Sequence, residues 1–360
     1  MYSRLKTDLD NFNSYLDSVG SSRGSAVAFG AELLPANANR GEQLLRPDTM
    51  NGVKAYLDRL KEMGLKGVTI AVKYPVYTPS FPRYEEYRSF FKQVSDEVHK
   101  RGMVLDVETG FAFAGTAFST LNISYSGLTF NRYEVEQRTM VTSLIEDLKP
   151  EYLNLGAEPD TEYKLSGLKE FANPDRYMEY VNFILAGLDK GSTAMGAGIG
   201  SWGDMAYIDS LANTRLDFLD IHVYPATEKY LKSILTIADI AKSHGKRVCL
   251  DEAWLYKVDT VVSTDIAANE EIFKRDAYSF WAPLDQEFLS VIVKVANMKG
   301  IEYVSPFWSQ LFFSYIDYNG EIGKLSYAET AQRLNQQASK NIVEDKFSPT
   351  GEYYRKLITG

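Results

Sequence analysis

The chain has 360 residues, of which 45% are hydrophobic and 24% charged, which is typical of a folded globular protein with a large core. The formal net charge of −9, spread along the chain, disfavours nucleic acid or an anionic membrane surface as a partner. The single cysteine, Cys249, excludes an intramolecular disulfide, a zinc–cysteine cluster and an iron–sulfur cluster. The three histidines form no metal-hydrolase motif, so neither a metal nor an organic cofactor is predicted.

The first residues, MYSRLKTDLDNFNSYLDSVGSS, predict a helical extension over 1–22, because Leu5, Leu9, Phe12 and Leu16 recur at helical spacing. Their mixed charges and missing apolar middle are not typical of a secretory signal peptide. The chain contains no run of about 18 apolar residues, so no membrane span is expected. The compartment and the oligomeric state are left open.

Short apolar runs alternate with amphipathic helical stretches along the rest of the chain. Predicted strands cover 25–33, 66–74, 103–110, 151–158, 193–200, 216–225, 246–254 and 302–310. Predicted helices cover 49–64, 83–102, 131–149, 173–191, 204–213, a stretch that ends at Gly245, and about 265–280, 285–299 and 327–341.

Eight strand–helix units in strict alternation imply parallel strands joined by right-handed crossovers. At this length the predicted fold is a single-domain (β/α)8 TIM barrel over 1–360, with a C-terminal helix over 342–360 that closes it. A doubly wound sheet with a second domain is the alternative. Glycines 196 to 200 indicate tight packing at the fifth strand, since they form no dinucleotide-binding fingerprint.

Barrels of this kind carry their chemistry at the carboxyl ends of the strands, so these positions hold the candidate site residues. They are Glu32, Lys73, Asp106, Glu108, Glu158, Trp202, His222, Tyr224, Asp251, Glu252, Trp254 and Trp308. Three of the four tryptophans follow strands five, seven and eight, where flat rings suit the apolar faces of sugars. Ordinary core packing is the alternative for each of them.

Two of these residues, Glu158 and Glu252, form a candidate catalytic pair. Pro159 cannot extend a strand ladder, so the fourth strand is predicted to end near Glu158. Strands four and seven lie three apart, which allows two carboxyls to face one another over about 5 Å, the separation of a double-displacement glycosidase. The alternative is that both glutamates are unrelated surface charges.

Strand alternation gives a further expectation about the seventh strand. If Glu252 points into the barrel mouth, then Leu250 and Val248 point into the barrel and Cys249, a small core residue, faces the helices. Alternation in the sixth strand brings the hydroxyl of Tyr224 within reach of Glu252. A donor at that place stabilises an ionised carboxylate.

The ordered strand ends resemble clan A of the glycoside hydrolases, a group of retaining (β/α)8 enzymes. The likeness rests on LGAEPD at strand four, HVYP after strand six, LDEAW at strand seven and SPFWS at strand eight, and SPTGEYYRKL over 348–357 resembles the last helix of the clan. The resemblance implies a retaining hydrolase of a β-linked oligo- or polysaccharide that works without a cofactor. A polymeric substrate would place the protein outside the cell or on its surface.

Carried onto this chain, the resemblance implies Glu252 as the nucleophile and Glu158 as the acid/base. It further implies that Tyr224 is bonded to the nucleophile, that His222 lines the sugar site and that Trp308 is the platform under the sugar. Two adjacent carboxyls cannot both ionise cheaply, and the one with fewer hydrogen-bond donors keeps its proton. Because the sequence shows few donors near Glu158, the same roles are expected on physical grounds.

Two positions depart from the clan's pattern. Ala157 stands where most members carry an Asn that bonds the sugar 2-hydroxyl, and Lys73 is the nearest cation to a place where many carry Arg. Asn154 and Asp106 are the candidates for the missing contact. Two alternatives therefore stay open: a glycan-binding barrel with impaired catalysis, and a barrel enzyme of another class, such as a Schiff-base enzyme that uses Lys73.

Overall fold

The structure is a computed structural model that describes residues 1–20, 26–224, 227–258 and 270–360. The strands are Ala28–Phe29 (β1), Gly67–Ala71 (β2), Val104–Glu108 (β3), Tyr152–Asn154 (β4), Ala194–Gly200 (β5), Phe218–His222 (β6), Arg247–Ala253 (β7) and Tyr303–Pro306 (β8). All of them pair in parallel in one sheet, in the order β1-β8-β7-β6-β5-β4-β3-β2.

The sheet closes into a barrel next to β1 and β2. Glu32 forms an isolated parallel bridge with Thr69. The amide of Leu33 donates to the carbonyl of Thr69 at 2.8 Å, and the amide of Thr69 donates to the carbonyl of Ala31 at 3.1 Å. The predicted (β/α)8 barrel is confirmed, and the doubly wound alternative is excluded because the two end strands of the order meet one another.

The helices alternate with the strands along the chain. They are Tyr2–Val19 (α1), Thr49–Glu62 (α2), Tyr84–Lys100 (α3), Phe130–Leu148 (α4), Pro159–Ser166 (α5), Pro174–Leu185 (α6), Met205–Ala212 (α7), Glu228–Ser243 (α8), Glu270–Asp276 (α9), Ala282–Lys299 (α10), Tyr327–Val343 (α11) and Pro349–Thr359 (α12). The apolar stripe of α1 is buried against α8 and α10, as the leucine spacing predicted. Within the described ranges, none of these helices has the length and apolar character that crossing a bilayer requires.

Several predicted boundaries differ from the observed ones. The fourth strand ends at Asn154 rather than near Glu158, because Gly156 turns the chain at a φ of 138° and Pro159 begins α5. The helix predicted over 173–191 ends at Leu185, before an extended Ala186. Four predicted elements reach beyond the described residues: the helical extension at 21 and 22, the first strand at 25, the sixth strand at 225, and the helix over 265–280 before Glu270.

The predicted orientation of the seventh strand is wrong for the residues before Glu252, since Val248 and Leu250 belong to the core that packs with the helices. Cys249 packs inside the barrel, in a buried layer that also contains Phe218 and Tyr303. The pairing of β7 with β8 shifts register between Leu250 and Ala253, and such an irregularity breaks the strict alternation on which the prediction depended. Cys249 is buried, as expected of a small core residue.

The glycines of β5 allow close packing against β6. A Cβ at Gly196 would lie 2.0 Å from the ring of Phe218, and a Cβ at Gly198 would lie 1.8 Å from the backbone oxygen of Asp220. No side chain fits in either place without displacing the neighbouring strand. The tight packing predicted for glycines 196 to 200 is confirmed.

Candidate active site

A cavity of about 1310 Å³ opens where the strands end. Six residues predicted at the strand ends line it: Lys73, Glu158, Trp202, Tyr224, Glu252 and Trp308. They come from six different strands or the loops that follow them, so barrel closure is what brings them together.

The side chain of His222 joins the two glutamates of the predicted pair. Its Nδ1 lies 2.9 Å from Oε1 of Glu158 and 3.3 Å from Oε2 of Glu252. Because one nitrogen contacts an oxygen of each carboxylate, these two oxygens are at most about 6 Å apart, and carboxyls of retaining glycosidases are separated by roughly 5 Å. Both glutamates line the same cavity, so they are not unrelated surface charges.

Tyr224 contacts the same oxygen of Glu252 as His222 does. Its hydroxyl donates to Oε2 of Glu252 at 2.6 Å, as strand alternation predicted. Tyr256 stacks on Tyr224 with ring centroids 4.3 Å apart, and Trp202 lies 6.1 Å from Tyr224. Tyr256 lines the cavity and was not predicted, although it stands only two positions after Trp254.

Below the cavity lies a buried polar layer inside the barrel. The ammonium of Lys73 contacts Glu108 at 3.2 Å, and the amide nitrogen of Asn154 donates to Asp220 at 2.6 Å and to Asp251 at 3.2 Å. Burial raises the pKa of Glu108 and of Asp251 well above the usual range, and neighbouring carboxylates raise both further. Burial alone would lower the pKa of Lys73, but Glu108 and Glu252 raise it, so Lys73 stays charged, which disfavours a Schiff-base role.

Five residues predicted to bind substrate do not line the cavity: Glu32, Asp106, Glu108, His222 and Trp254. Asp106 is fully buried and accepts a hydrogen bond from Thr69, and Glu32 is fully buried and accepts one from Asn37. Neither Asp106 nor Asn154 lines the cavity, and the side-chain amide of Asn154 is already hydrogen-bonded to Asp220. Neither residue therefore replaces the sugar contact that is missing at Ala157.

Trp254 belongs to the core rather than to the rim. Its side chain is fully buried, against Phe312 and under the ammonium of Lys257. The ordinary core interpretation therefore applies to this tryptophan, whereas Trp202 and Trp308 are partly exposed at the cavity. A sequence pattern that places three tryptophans after strands does not report which way each ring turns.

The hydrogen bonds of the two glutamates contradict the expectation that Glu158 has few donors and for that reason keeps its proton. Glu158 accepts from Thr161 at 2.6 Å as well as from His222, so it does not lack donors. Burial alone would raise its pKa, but His222 and Thr161 hold the pKa of Glu158 below the usual range. Burial raises the pKa of Glu252, against the opposing effects of His222 and Tyr224. The roles of the two glutamates are therefore not decided by their donors in the free protein.

His222 carries the positive charge of this cluster. Burial would lower its pKa, but Glu252, Asp220 and Glu158 raise the pKa of His222 well above the usual range. Nε2 of His222 lies 3.2 Å from Asp220 and 3.8 Å from Glu108. His222, predicted to line the sugar site, instead lies just beneath it as the cation shared by the carboxylates.

Three of these side chains also satisfy the spacing of a metal site. One ligand atom each of Glu108, His222 and Glu252 lies within 4.8 Å of the others. A histidine must be neutral to ligate, whereas the surrounding carboxylates favour its protonated form, and Glu108 already contacts the ammonium of Lys73. The donor set fits a network of ion pairs better than a metal centre.

Comparisons with known proteins report on the fold. No family model and no curated protein matches the sequence. The solved structures that resemble the chain are clan A glycoside hydrolases built on an eight-stranded parallel barrel, so the resemblance seen in the strand ends is confirmed as a resemblance of fold.

Three of these structures illustrate the match. An exo-β-1,4-mannosidase from Opitutaceae bacterium strain TAV5 has a TM-score of 0.58 and 17% identity over 94% of this chain. GH5_18 from Streptomyces cattleya, in complex with GlcNAc, has a TM-score of 0.61 and 14% identity over 94% of this chain and 80% of its own. GH5_18 from Bifidobacterium longum subsp. longum has a TM-score of 0.59 and 15% identity over 92% of this chain and 79% of its own. This chain spans 61% of the length of the mannosidase.

Proposed function

We propose that the protein is a retaining glycoside hydrolase that cleaves a β-linked glycan by double displacement. The observation that carries the proposal is the pair of Glu158 and Glu252, both in contact with one nitrogen of His222 in a large cavity at the strand ends. Their short separation favours a covalent intermediate over an inverting reaction, which needs room for a water molecule between the carboxyls.

In the first step, an oxygen of Glu252 attacks the anomeric carbon while the bond to the leaving oxygen breaks. Glu158 gives a proton to that oxygen. In the second step, a water molecule attacks the same carbon, Glu158 takes its proton, and the bond to Glu252 breaks. The assignment follows the clan's order of strand ends and the hydrogen bond from Tyr224, which fixes the rotamer of Glu252.

The proton for the first step is available beside Glu158. The hydrogen bond from His222 to Glu158 is 2.9 Å long, and its proton belongs to His222, whose pKa is raised well above the usual range, while the pKa of Glu158 is lowered. A departing oxygen that approaches Glu158 competes with His222 for that proton. This arrangement lets Glu158 act as an acid although its pKa in the free protein is low.

The cavity is large enough for several sugar rings, since sites for single small molecules occupy roughly 300–1,000 Å³. Trp308 offers a partly exposed ring at its wall, and Tyr256 and Trp202 supply further flat surfaces. A mannosidase and a GlcNAc complex among the structural neighbours make β-mannosides and GlcNAc-containing glycans the first substrates to test.

A glycan-binding barrel without catalysis is the second candidate. The observation that favours it is Ala157, which cannot contact a sugar 2-hydroxyl, together with the burial of Asn154 and Asp106 away from the cavity. A weaker hold on that hydroxyl would cost several kcal/mol in the transition state.

The stereochemistry of the products tests the proposal. Aryl β-glycosides and β-linked glycans that the protein cleaves should first release the β-anomer, which proton NMR detects before mutarotation. First release of the α-anomer would exclude double displacement. Absence of cleavage across substrates that bind to the protein would favour the second candidate.

Replacing Tyr224 by Phe should lower kcat/KM by about 10- to 100-fold, since a hydrogen bond to an ionised group is lost. The bond from Tyr224 lowers the pKa of Glu252, so its removal raises that pKa. Attack requires ionised Glu252, and the acidic limb of the kcat/KM profile should therefore move to higher pH. The exposed Tyr318→Phe is the matched control, and an unmoved acidic limb in Tyr224→Phe would contradict the assignment.

A further inference from the structure

Two arginines line the cavity away from the glutamate pair. Arg40 lies in the 3-10 segment Ala38–Leu45, which follows the first strand, and Arg46 comes directly after it. Arg40 is partly buried and Arg46 is exposed, and both line the same cavity as Glu158 and Glu252. Neither arginine has a part in the double displacement described above.

Among the described residues, no carboxylate lies within the 4.0 Å of an ion pair from either guanidinium. Glu42, next to Arg40 in the chain, pairs instead with Arg83 at 3.4 Å. Asp48 also lines the cavity but forms no ion pair with Arg40 or Arg46.

The charges act on one another. Burial, and after it the charge of Arg46, lowers the pKa of Arg40. A partly desolvated cation beside a like charge raises the free energy of the unliganded protein. An anion bound between the two guanidinium groups would remove this cost, and arginine forms two parallel hydrogen bonds to carboxylate, sulfate or phosphate oxygens.

The backbone that carries Arg40 is held in place. The hydroxyl of Thr120 donates to the carbonyl of Arg40 at 2.8 Å, and the amide of Thr120 donates to the carbonyl of Asn39 at 2.9 Å. Gly41 adopts a φ of 52°, and a Cβ there would meet Leu121 at 3.1 Å. The loop after β3 thus fixes the segment from which Arg40 enters the cavity.

The arginines lie on the side of the cavity that carries Trp308. The hydroxyl of Tyr56, a cavity residue, bonds Ser309 at 2.7 Å, directly after Trp308. The 3-10 segment that contains Arg40 packs against α2, which carries Tyr56, and both residues line the cavity. A sugar stacked on Trp308 would therefore continue towards Arg40.

We propose that Arg40 and Arg46 form a subsite for a negatively charged substituent of the glycan, either the carboxylate of a uronic acid or a sulfate or phosphate ester. The subsite rests on the proposed function and narrows it to acidic glycans. A neutral sugar ring leaves both guanidinium groups without a counter-charge, so the glycan with the anionic group is the better fit.

Binding of monosaccharides to the intact protein tests the subsite without turnover. Ligand-observed NMR should show D-glucuronate or glucose 6-sulfate binding about tenfold tighter than D-glucose, with an affinity that falls as sodium chloride is added. Tighter binding of glucuronate alone would identify a carboxylate subsite, and tighter binding of the sulfate alone a sulfate or phosphate subsite. Equal affinity for all three sugars, or equal affinity for inorganic sulfate and glucose 6-sulfate, would overturn the proposal.

Variants connect the effect to the two side chains. Arg40→Gln and Arg46→Gln should each reduce the preference for the anionic sugar, and the double variant should abolish it. Arg333→Gln removes the same charge from the exposed face of α11 and should leave the preference unchanged. An unchanged preference in the double variant would overturn the proposal. The thermal midpoint of unfolding of the double variant should equal or exceed that of the wild type, because uncompensated positive charge is removed.

The two proposals fail separately. If the protein releases the β-anomer but shows no preference for anionic sugars, only the subsite proposal is refuted. A retained anion preference without cleavage of any glycan would remove the hydrolase and leave an acidic-glycan binding protein.

Discussion

Glu252→Gln should reduce kcat by about 10⁴-fold or more on every substrate, because a neutral amide does not attack the anomeric carbon. The substitution keeps the shape of the side chain and an acceptor for the hydroxyl of Tyr224, so the dissociation constant of a bound glycan should change little. Steady-state kinetics give the first quantity, and calorimetry with a substrate oligosaccharide gives the second. The exposed Glu321→Gln is the matched control.

The companion variant separates the roles of the two glutamates. Glu158→Gln should strongly reduce turnover of natural glycans but have little effect on the glycosylation step with aryl glycosides whose leaving groups need no proton. In the opposite pattern, the rate of Glu252→Gln would depend on the leaving group and the rate of Glu158→Gln would not. That result would make Glu158 the nucleophile and Glu252 the acid/base. Binding without turnover in the wild type and in both variants would favour the non-catalytic barrel.

Lys257→Met should lower the free energy of unfolding by about 3–5 kcal/mol, as expected when one partner of a buried ion cluster is removed. Lys257 is fully buried, 3.1 Å from Asp276 and 2.5 Å from Asp285. Asp285 also accepts from Tyr315 at 2.9 Å. Urea unfolding measures the loss, and Lys346→Met, which removes an exposed pair with Glu344, should change stability by less than about 0.5 kcal/mol.

The pH dependence of this loss identifies its cause. Burial raises the pKa of Asp276 to about 7 even beside Lys257. Below its raised pKa the Asp276 carboxyl is protonated and needs no counterion, whereas above it the folded protein must bury a carboxylate. Lys257→Met should therefore lose less free energy of unfolding at about pH 5 than at about pH 8. The triple variant Lys257→Met, Asp276→Asn, Asp285→Asn should recover much of the loss. An equal loss at both pH values would indicate packing instead of charge.

The cluster also supports the site. Tyr256, the residue before Lys257, stacks on Tyr224, which in turn bonds Glu252. The chain between β7 and Lys257 is therefore fixed at both ends, by the strand and by the buried ion pairs. Lys257→Met should consequently reduce kcat/KM as well as stability.

The alternation of apolar runs and amphipathic helices was sufficient to predict the barrel, since strand and helix periodicities are local properties of the chain. The same order of strand ends predicted that Glu158, Tyr224, Glu252 and Trp308 meet at one cavity. Barrel topology fixes which strand ends are neighbours, so it carries this information from the sequence to the site.

Side-chain direction and charge environment were not predictable in the same way. The irregularity in β7 puts Cys249 out of phase with Glu252, and Trp254 is buried in the core although it follows a strand as Trp202 does. These outcomes depend on contacts with residues far away in the chain, such as Phe312 for Trp254. A local sequence pattern carries no information about such long-range contacts.

The sequence by itself determined the fold, the order of its strand ends and the two glutamates that face one cavity. Only the tertiary structure decided that His222 is shared between them, that Glu158 has its own donors, and that Arg40 and Arg46 are left without partners among the described residues. The physical reason is range: backbone periodicity is set by neighbours in the chain, whereas protonation and pairing are set by whichever charges folding brings within a few ångströms.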